Sequence, residues 1–326
     1  MRFATALAIV VGLSLQPSHG GELRESAPSV RFVVPGPAGS TFDRYGRLVA
    51  RHIGRFLPGH PVVVVQNMPG ASGRVALSFM CSVADQDGSA IGLMLKQVPM
   101  MQRMGEPMPC DVSSLHYIGS PARLPESLVL WHSSAKKPPG AEIAIGATTK
   151  SGASFVMPQL MNNFLGTRFK AVTGYTGGPE IKGAMERCEV DGQSSEPWSE
   201  WEATKPDWVR DRKIVPIMQM GASGDPALPH VPLLRDVVKH PTVELASLTA
   251  EMSRPIVAPP GMSPAKVEAL RRAFDQMVVD ELFLADAARM KLRINPISGR
   301  DLKGFVDHVM AAPQEAVDGL KAALRE

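Results

Sequence analysis

Cysteine is scarce. Cys81, Cys110 and Cys188 are the only three in 326 residues, with no Cys-x-x-Cys pair and no histidine at ligand spacing, which argues against a zinc site. His132, His230 and His240 also lack metal-ligand spacing, and His52 falls on an apolar helix face, where it reads as a packed side chain. Charge of one sign is missing as well. Thirty-five Lys and Arg meet 32 Asp and Glu for a net +3, so the chain has no electrostatic footprint for nucleic acid. No apolar run beyond the first 15 residues approaches the length that crosses a bilayer. Two stretches, 70–73 and 221–224, approach the Gly-x-Ser-x-Gly elbow of hydrolases, but Arg74 and Asp225 stand where its last glycine belongs. There is no internal repeat, no low-complexity tract and no nucleophile–base pair at recognisable spacing. The reading is of a protein that is not an enzyme and carries neither metal nor cofactor.

What remains is ordinary for a globular chain: 44% hydrophobic and 21% charged residues, with length enough for two α/β lobes. Residues 1–22 read as a signal peptide, with Arg2, an apolar run over 3–15 and a polar turn region before cleavage. No cysteine follows for lipid attachment, so the mature chain is expected in the periplasm as a monomer. In that oxidising setting Cys81 and Cys110 are the expected disulfide, because both fall in the first lobe.

The organising stretch is 30–56. An apolar strand over 30–34 meets the turn Pro35-Gly36-Pro37-Ala38-Gly39, which continues neither strand nor helix. Ser40 and Thr41 supply N-cap hydroxyls and Asp43 a first-turn carboxylate that orders the loop. Tyr45, Leu48, Val49, His52, Ile53 and Phe56 then recur at helical spacing, with a solvated face of Arg44, Arg47, Arg51 and Arg55 opposite. A helix start held above a strand end aims free N–H groups at an anion. A strand at 62–65, a second glycine turn at 67–73, a helix near 75–83 and a strand at 91–95 follow, with 99–109 read as loop. Strands are expected at 115–118 and 127–131. After Pro138 a new α/β rhythm begins: strand 142–147, small-residue loop 148–153, helix 155–165, strand 168–172, the turn at 174–179 and helix 179–188. A strand at 214–220, a strand at 255–258, helices at 264–278 and 281–290, and a strand at 292–297 come next. Two closing helices, 299–311 and 313–324, are expected to pack on the first lobe's sheet.

The motifs VVPGPAGSTFD (33–43), QNMPGASG (66–73), GYTGGPEIKGAMERCEVDG (174–192) and RPIVAPPGMSPAKVEALRRAFD (254–275) agree in order and spacing. Together they resemble the periplasmic solute receptors of tripartite tricarboxylate transporters, the Bug-type receptors, over nearly all of the mature chain. The resemblance implies an α/β fold of the two-lobed (type II) periplasmic binding protein kind, each lobe a mixed sheet flanked by helices. Lobe 1 would comprise 28–124 with 252–326, and lobe 2 125–251. It implies a small carboxylate ligand held in the cleft, and integral-membrane permease subunits as partners. The ligand-binding residues it implies are Pro37, Ala38, Gly39, Ser40, Thr41 and Asp43 in lobe 1, with Thr148, Thr149, Lys150, Ser151, Gly152, Tyr175, Gly177 and Gly178 in lobe 2.

The chain departs from the common pattern in three places. Gly39-Ser40 replaces a glycine pair, Lys150 adds a cation to the second loop, and Gln193-Ser194-Ser195-Glu196 stands where relatives carry an acidic residue soon after the Val-Asp pair. These departures keep the ligand's identity open. A receptor feeding a membrane sensor, or an exported enzyme on the same scaffold, are the alternatives to transport.

Overall fold

The computed structural model describes residues 29–138, 140–150 and 152–325. The signal peptide expected at 1–22 lies outside them. The strands are β1 (Ser29–Val34), β2 (Val62–Asn67), β3 (Ala90–Leu93), β4 (His116–Ser120), β5 (Glu126–Trp131), β6 (Ile143–Gly146), β7 (Phe169–Val172), β8 (Gly192–Glu196), β9 (Ile214–Met220), β10 (Ile256–Ala258) and β11 (Ile297–Ser298). They form two sheets, ordered β11-β4-β10-β3-β1-β2 and β7-β6-β8-β5-β9. β2, β1 and β3 run parallel, and β10 returns antiparallel between β3 and β4. In the second sheet β7, β6 and β8 are parallel, β5 runs antiparallel to β8, and β9 runs antiparallel to β5 at the edge. This is a two-lobed α/β fold, as the sequence implied.

The helices are α1 (Thr41–Ile53), α2 (Arg74–Ser82), α3 (Val98–Arg103), α4 (Ala153–Leu165), α5 (Gly178–Glu186), α6 (Trp198–Thr204), α7 (Pro206–Arg210), α8 (Leu234–Val237), α9 (Pro241–Glu251), α10 (Pro264–Met277), α11 (Glu281–Arg289), α12 (Gly299–Met310) and α13 (Gln314–Ala323). α1 starts where its cap chemistry requires: the Ser40 hydroxyl accepts from the Asp43 N–H at 3.3 Å. Tyr45, Leu48, Val49 and Ile53 are wholly buried along one face. Gly46 lets that face lie flat on β1, since a Cβ there would fall 2.5 Å from Val34 Cγ2.

The arginine face of α1 is not simply solvated. α11 packs beside it, so Arg51 pairs with Asp286 at 2.9 Å and Arg55 with Asp280 at 2.5 Å. His52 is a packed histidine, edge-on to Phe283 and 2.9 Å from Asp286. Three further elements differ from the sequence pattern. Residues 99–109 carry the short helix α3 instead of loop throughout. The strand expected at 292–297 shrinks to the two residues of β11, and Pro296, which has no N–H to give a ladder, precedes them. α9 has no counterpart in the pattern at all. Thr242, Val243, Leu245, Ala246, Ser247, Thr249 and Ala250 are all buried, so it lacks the polar face that makes periodicity visible.

One apolar core joins the two sheets through α4, α9, α12 and α13. A second lies under α1, α10 and α11, and a third, built on Trp198, Trp201 and Trp208, lies under α5 and α6. α12 packs on β4, whereas α13 reaches α9 and α4, where Asn163 donates to the Ala323 carbonyl at 3.1 Å. Cys81 and Cys110 form a disulfide that ties the end of α2 to the loop before β4, and Cys188 is free and exposed. Among the described residues no helix is long and apolar enough to cross a membrane, and no group of His, Cys, Asp and Glu is placed to hold a metal ion.

Candidate ligand site

The carboxyl ends of the parallel strands in the two sheets face each other, and the loops leaving them touch. The Thr41 hydroxyl, at the start of α1, donates to Glu196 Oε1 at 2.7 Å. Ser72, before α2, lies 2.7 Å from the Thr149 hydroxyl, before α4. A Cβ on Gly177, before α5, would sit 3.6 Å from Pro37 Cγ. Arg44 reaches Glu200 at 2.5 Å, and Arg293 reaches Asp225 at 2.7 Å. The lobes are thus closed on one another across the β1–α1 loop.

That loop is held from behind. Asp43 Oδ2 accepts from the Gly39 N–H at 2.9 Å and from Arg47 at 3.0 Å, while Oδ1 accepts from Asn67 at 2.9 Å. Asn67 also donates to the Gly36 carbonyl at 2.9 Å. Burial alone would raise the Asp43 pKa, but the hydrogen bonds from Arg47, the Gly39 N–H and Asn67 outweigh it and hold the carboxyl below its usual range. Both Asp43 oxygens are therefore engaged within the loop, and the motif at 66–73 contributes its asparagine as a brace. The Ser40 N–H is spent on the Pro37 carbonyl at 3.1 Å. The donors left open among the described residues are the N–H groups of Ala38, Thr41 and Phe42. Open N–H groups at a helix start are the kind of donor an anion accepts.

Across the cleft, Gly152 caps α4, and its N–H is taken by the Thr149 carbonyl at 3.1 Å. The Thr148 N–H donates to the Ser154 hydroxyl at 3.1 Å. Lys150 is exposed at the loop tip, and Ser151 lies outside the described residues. Tyr175 packs against the tryptophan core, and burial raises its phenol pKa. Gly177 caps α5, and the N–H groups of Gly177 and Gly178 have no acceptor among the described residues.

The residue that the expected set omits is Glu196. Its carboxylate lies between the starts of α1 and α5: beyond Thr41, it accepts from Gln193 Nε2 at 3.0 Å, has Lys182 Nζ at 4.0 Å, and would meet a Cβ on Gly178 at 2.8 Å. Ser195 holds a left-handed backbone (φ 67°), and the β5–β8 register shifts beside it. A bulge of this kind re-aims a side chain, here toward the opposite lobe. Glu200 lies next to it, wholly buried, with Oε1 lacking any hydrogen-bond partner among the described residues. Burial pushes the Glu200 carboxyl above its usual range, and the Glu196 charge pushes it further. The departure at 193–196 was visible in the sequence, but the left-handed serine that aims Glu196 was not.

The sequence matches no known family profile and no curated protein. Solved structures share the fold. The periplasmic binding protein BugD superposes with a TM-score of 0.67 at 18% identity, covering 90% of this chain and 97% of that one. An R. palustris protein solved with adipate gives 0.69 at 17% identity, covering 90% and 97%. MatC of Rhodopseudomonas palustris, solved with bound malate, gives 0.65 at 16% identity, covering 91% and 99%. The fold of this chain is that of the Bug- and TctC-type periplasmic binding proteins.

Proposed function

We propose that this chain is an exported receptor that captures a small carboxylate in the cleft and delivers it to a tripartite tricarboxylate-type permease. The observation that carries this reading is the set of open N–H groups at the starts of α1 and α5, which face each other across closed lobes. Lobe 1 would comprise 28–124 with 252–326, and lobe 2 125–251. The division is supported by the two sheets, which draw their strands from those segments. The loops at Pro37–Thr41, at Thr148–Gly152 and at Tyr175–Gly178 would meet the ligand, with Asp43 acting from behind. Ligands in the solved relatives, adipate and malate, are of the same chemical class. The open main-chain donors suit an anion.

A helix start contributes roughly 0.3–1 kcal/mol to an anion and up to ~2 kcal/mol when partly buried. Micromolar affinity needs about 8 kcal/mol, so several charge-assisted hydrogen bonds must add to the dipoles. A thermal-shift screen tests the reading. Small mono- or dicarboxylates are expected to raise the melting temperature, and sugars and neutral amides are expected to leave it unchanged. Stabilisation by uncharged compounds alone would sink it.

A further inference from the structure

β10 runs antiparallel to β3, pairing Ile256 with Leu93, and the Met94 N–H donates to the Pro255 carbonyl at 2.8 Å. The residue before Pro255, Arg254, therefore stands at the carboxyl edge of β3 and β1, on the cleft side of the sheet. Its guanidinium lies 4.5 Å from the ring of Phe42 and 5.5 Å from that of Tyr45, behind the first turn of α1. It is only 4% exposed.

The other buried or half-buried cations here have carboxylates. Lys96 pairs with Glu126, Arg44 with Glu200, and Lys182 stands 4.0 Å from Glu196. Arg254 has no ion-pair partner among the described residues. Its Nη1 donates to the Ser253 carbonyl at 3.0 Å, and its Nε is buried with no acceptor. A lysine in this position could shed its proton, and Lys96 is pushed that way by burial and by the charge of Arg254. A guanidinium cannot. The nearby Glu200 carboxylate feels the Arg254 charge but is in contact with Arg44 instead, and a permanent buried charge with no carboxylate in contact is costly unless an anion arrives. The planar fork of an arginine matches a carboxylate with two parallel hydrogen bonds.

We propose that Arg254 is the charged anchor of the ligand, its guanidinium taking one carboxylate that also meets the Thr41 and Phe42 N–H groups. This rests on the receptor reading above, and it places an anionic end of the solute at the carboxyl edge of β1 and β3. The cost of burying Arg254 is then recovered when the ligand binds.

Calorimetric titration of the wild type, Arg254→Gln and Arg254→Lys with succinate, glutarate, adipate and methylphosphonate tests it. For the carboxylate that binds the wild type best, Arg254→Gln is expected to lose about 10- to 100-fold in affinity, the range for a hydrogen bond to a charged group. Arg254→Lys should keep the charge without the fork and fall between the two. The melting temperature of ligand-free Arg254→Gln should equal or exceed the wild type's, because a buried charge with no carboxylate in contact has been removed. Unchanged carboxylate affinity in Arg254→Gln, with a lowered melting temperature, would overturn the proposal and make Arg254 a brace for Phe42 and Tyr45. If Arg254→Gln does not fold, Arg254→Lys with wild-type affinity overturns it equally. Binding of methylphosphonate alone would overturn the carboxylate assignment. A wild type that binds none of the four would overturn the receptor reading itself, an outcome distinct from a binding wild type whose variants are unaffected.

Discussion

Asp43→Ala is expected to lower the unfolding free energy by about 3 kcal/mol, the upper end of ordinary point substitutions, and to abolish ligand-dependent stabilisation. The carboxylate is buried and accepts from the Gly39 N–H, Arg47 and Asn67. Removing it lets the half-exposed Arg47 turn to water but strands the part-buried Gly39 N–H and Asn67 amide, at about 1–3 kcal/mol for each donor that stays unmet. It also frees the turn that sets the Ala38, Thr41 and Phe42 N–H groups, so the anion site loses its shape. The pH dependence follows in sign. Because the folded pKa is held below the usual 3.8, the stabilisation is fully present above that value and is lost only as pH falls through the depressed one. Urea unfolding of wild type and variant should therefore differ by a constant amount from neutral pH down to about pH 5, and converge only in stronger acid.

Arg44→Ala should act on closure. Arg44 belongs to α1 and Glu200 to α6, so their 2.5 Å ion pair spans the cleft, and Arg44 also donates to the Met290 carbonyl at 2.5 Å. Breaking one side of a buried pair costs about 3–5 kcal/mol while the remaining charge stays buried. Here the protein has an escape, because opening the lobes returns Glu200 to water. The expected result is a larger radius of gyration for the ligand-free variant in small-angle scattering, and carboxylate affinity weakened on the order of 100-fold. Lowering the pH should restore closure. Glu200 faces Glu196, Thr41, Lys182 and Arg254 as well as Arg44, and its carboxyl is already raised by burial. Losing Arg44 raises it further. A carboxyl whose pKa is higher in the closed state takes up a proton on closing, so closure of the variant gains as pH falls from 8 toward 5. A scattering curve for Arg44→Ala that matches the wild type at every pH would contradict this.

Much of the scaffold was legible because local chemistry and global fold agree there. Val30–Val34 with the Pro-Gly turn and Ser40 fixed β1, its loop and the start of α1 at once. The disulfide followed from placing two cysteines in one lobe. The features that escaped are those whose meaning depends on distant partners. α9 hides because it is buried on every side. Arg44 reads as surface until α6 is seen to bring Glu200 over it. Asn67 reads as a turn residue, yet its amide fixes the loop of the neighbouring strand. Glu196 is aimed by a left-handed serine that no residue pattern announces, and Arg254 looks like a flanking arginine until β10 carries it to the carboxyl edge between lobes.

The claim that the open N–H groups of the α1 start receive a carboxylate is tested most directly by a crystal structure of the protein with whichever carboxylate raises its melting temperature most. The account predicts a carboxylate oxygen within hydrogen-bond distance, about 2.7–3.2 Å, of the Thr41 or Phe42 N–H, with the lobes closed over it. A stabilising carboxylate found outside this cleft, or in it with those N–H groups still unmet, would contradict it.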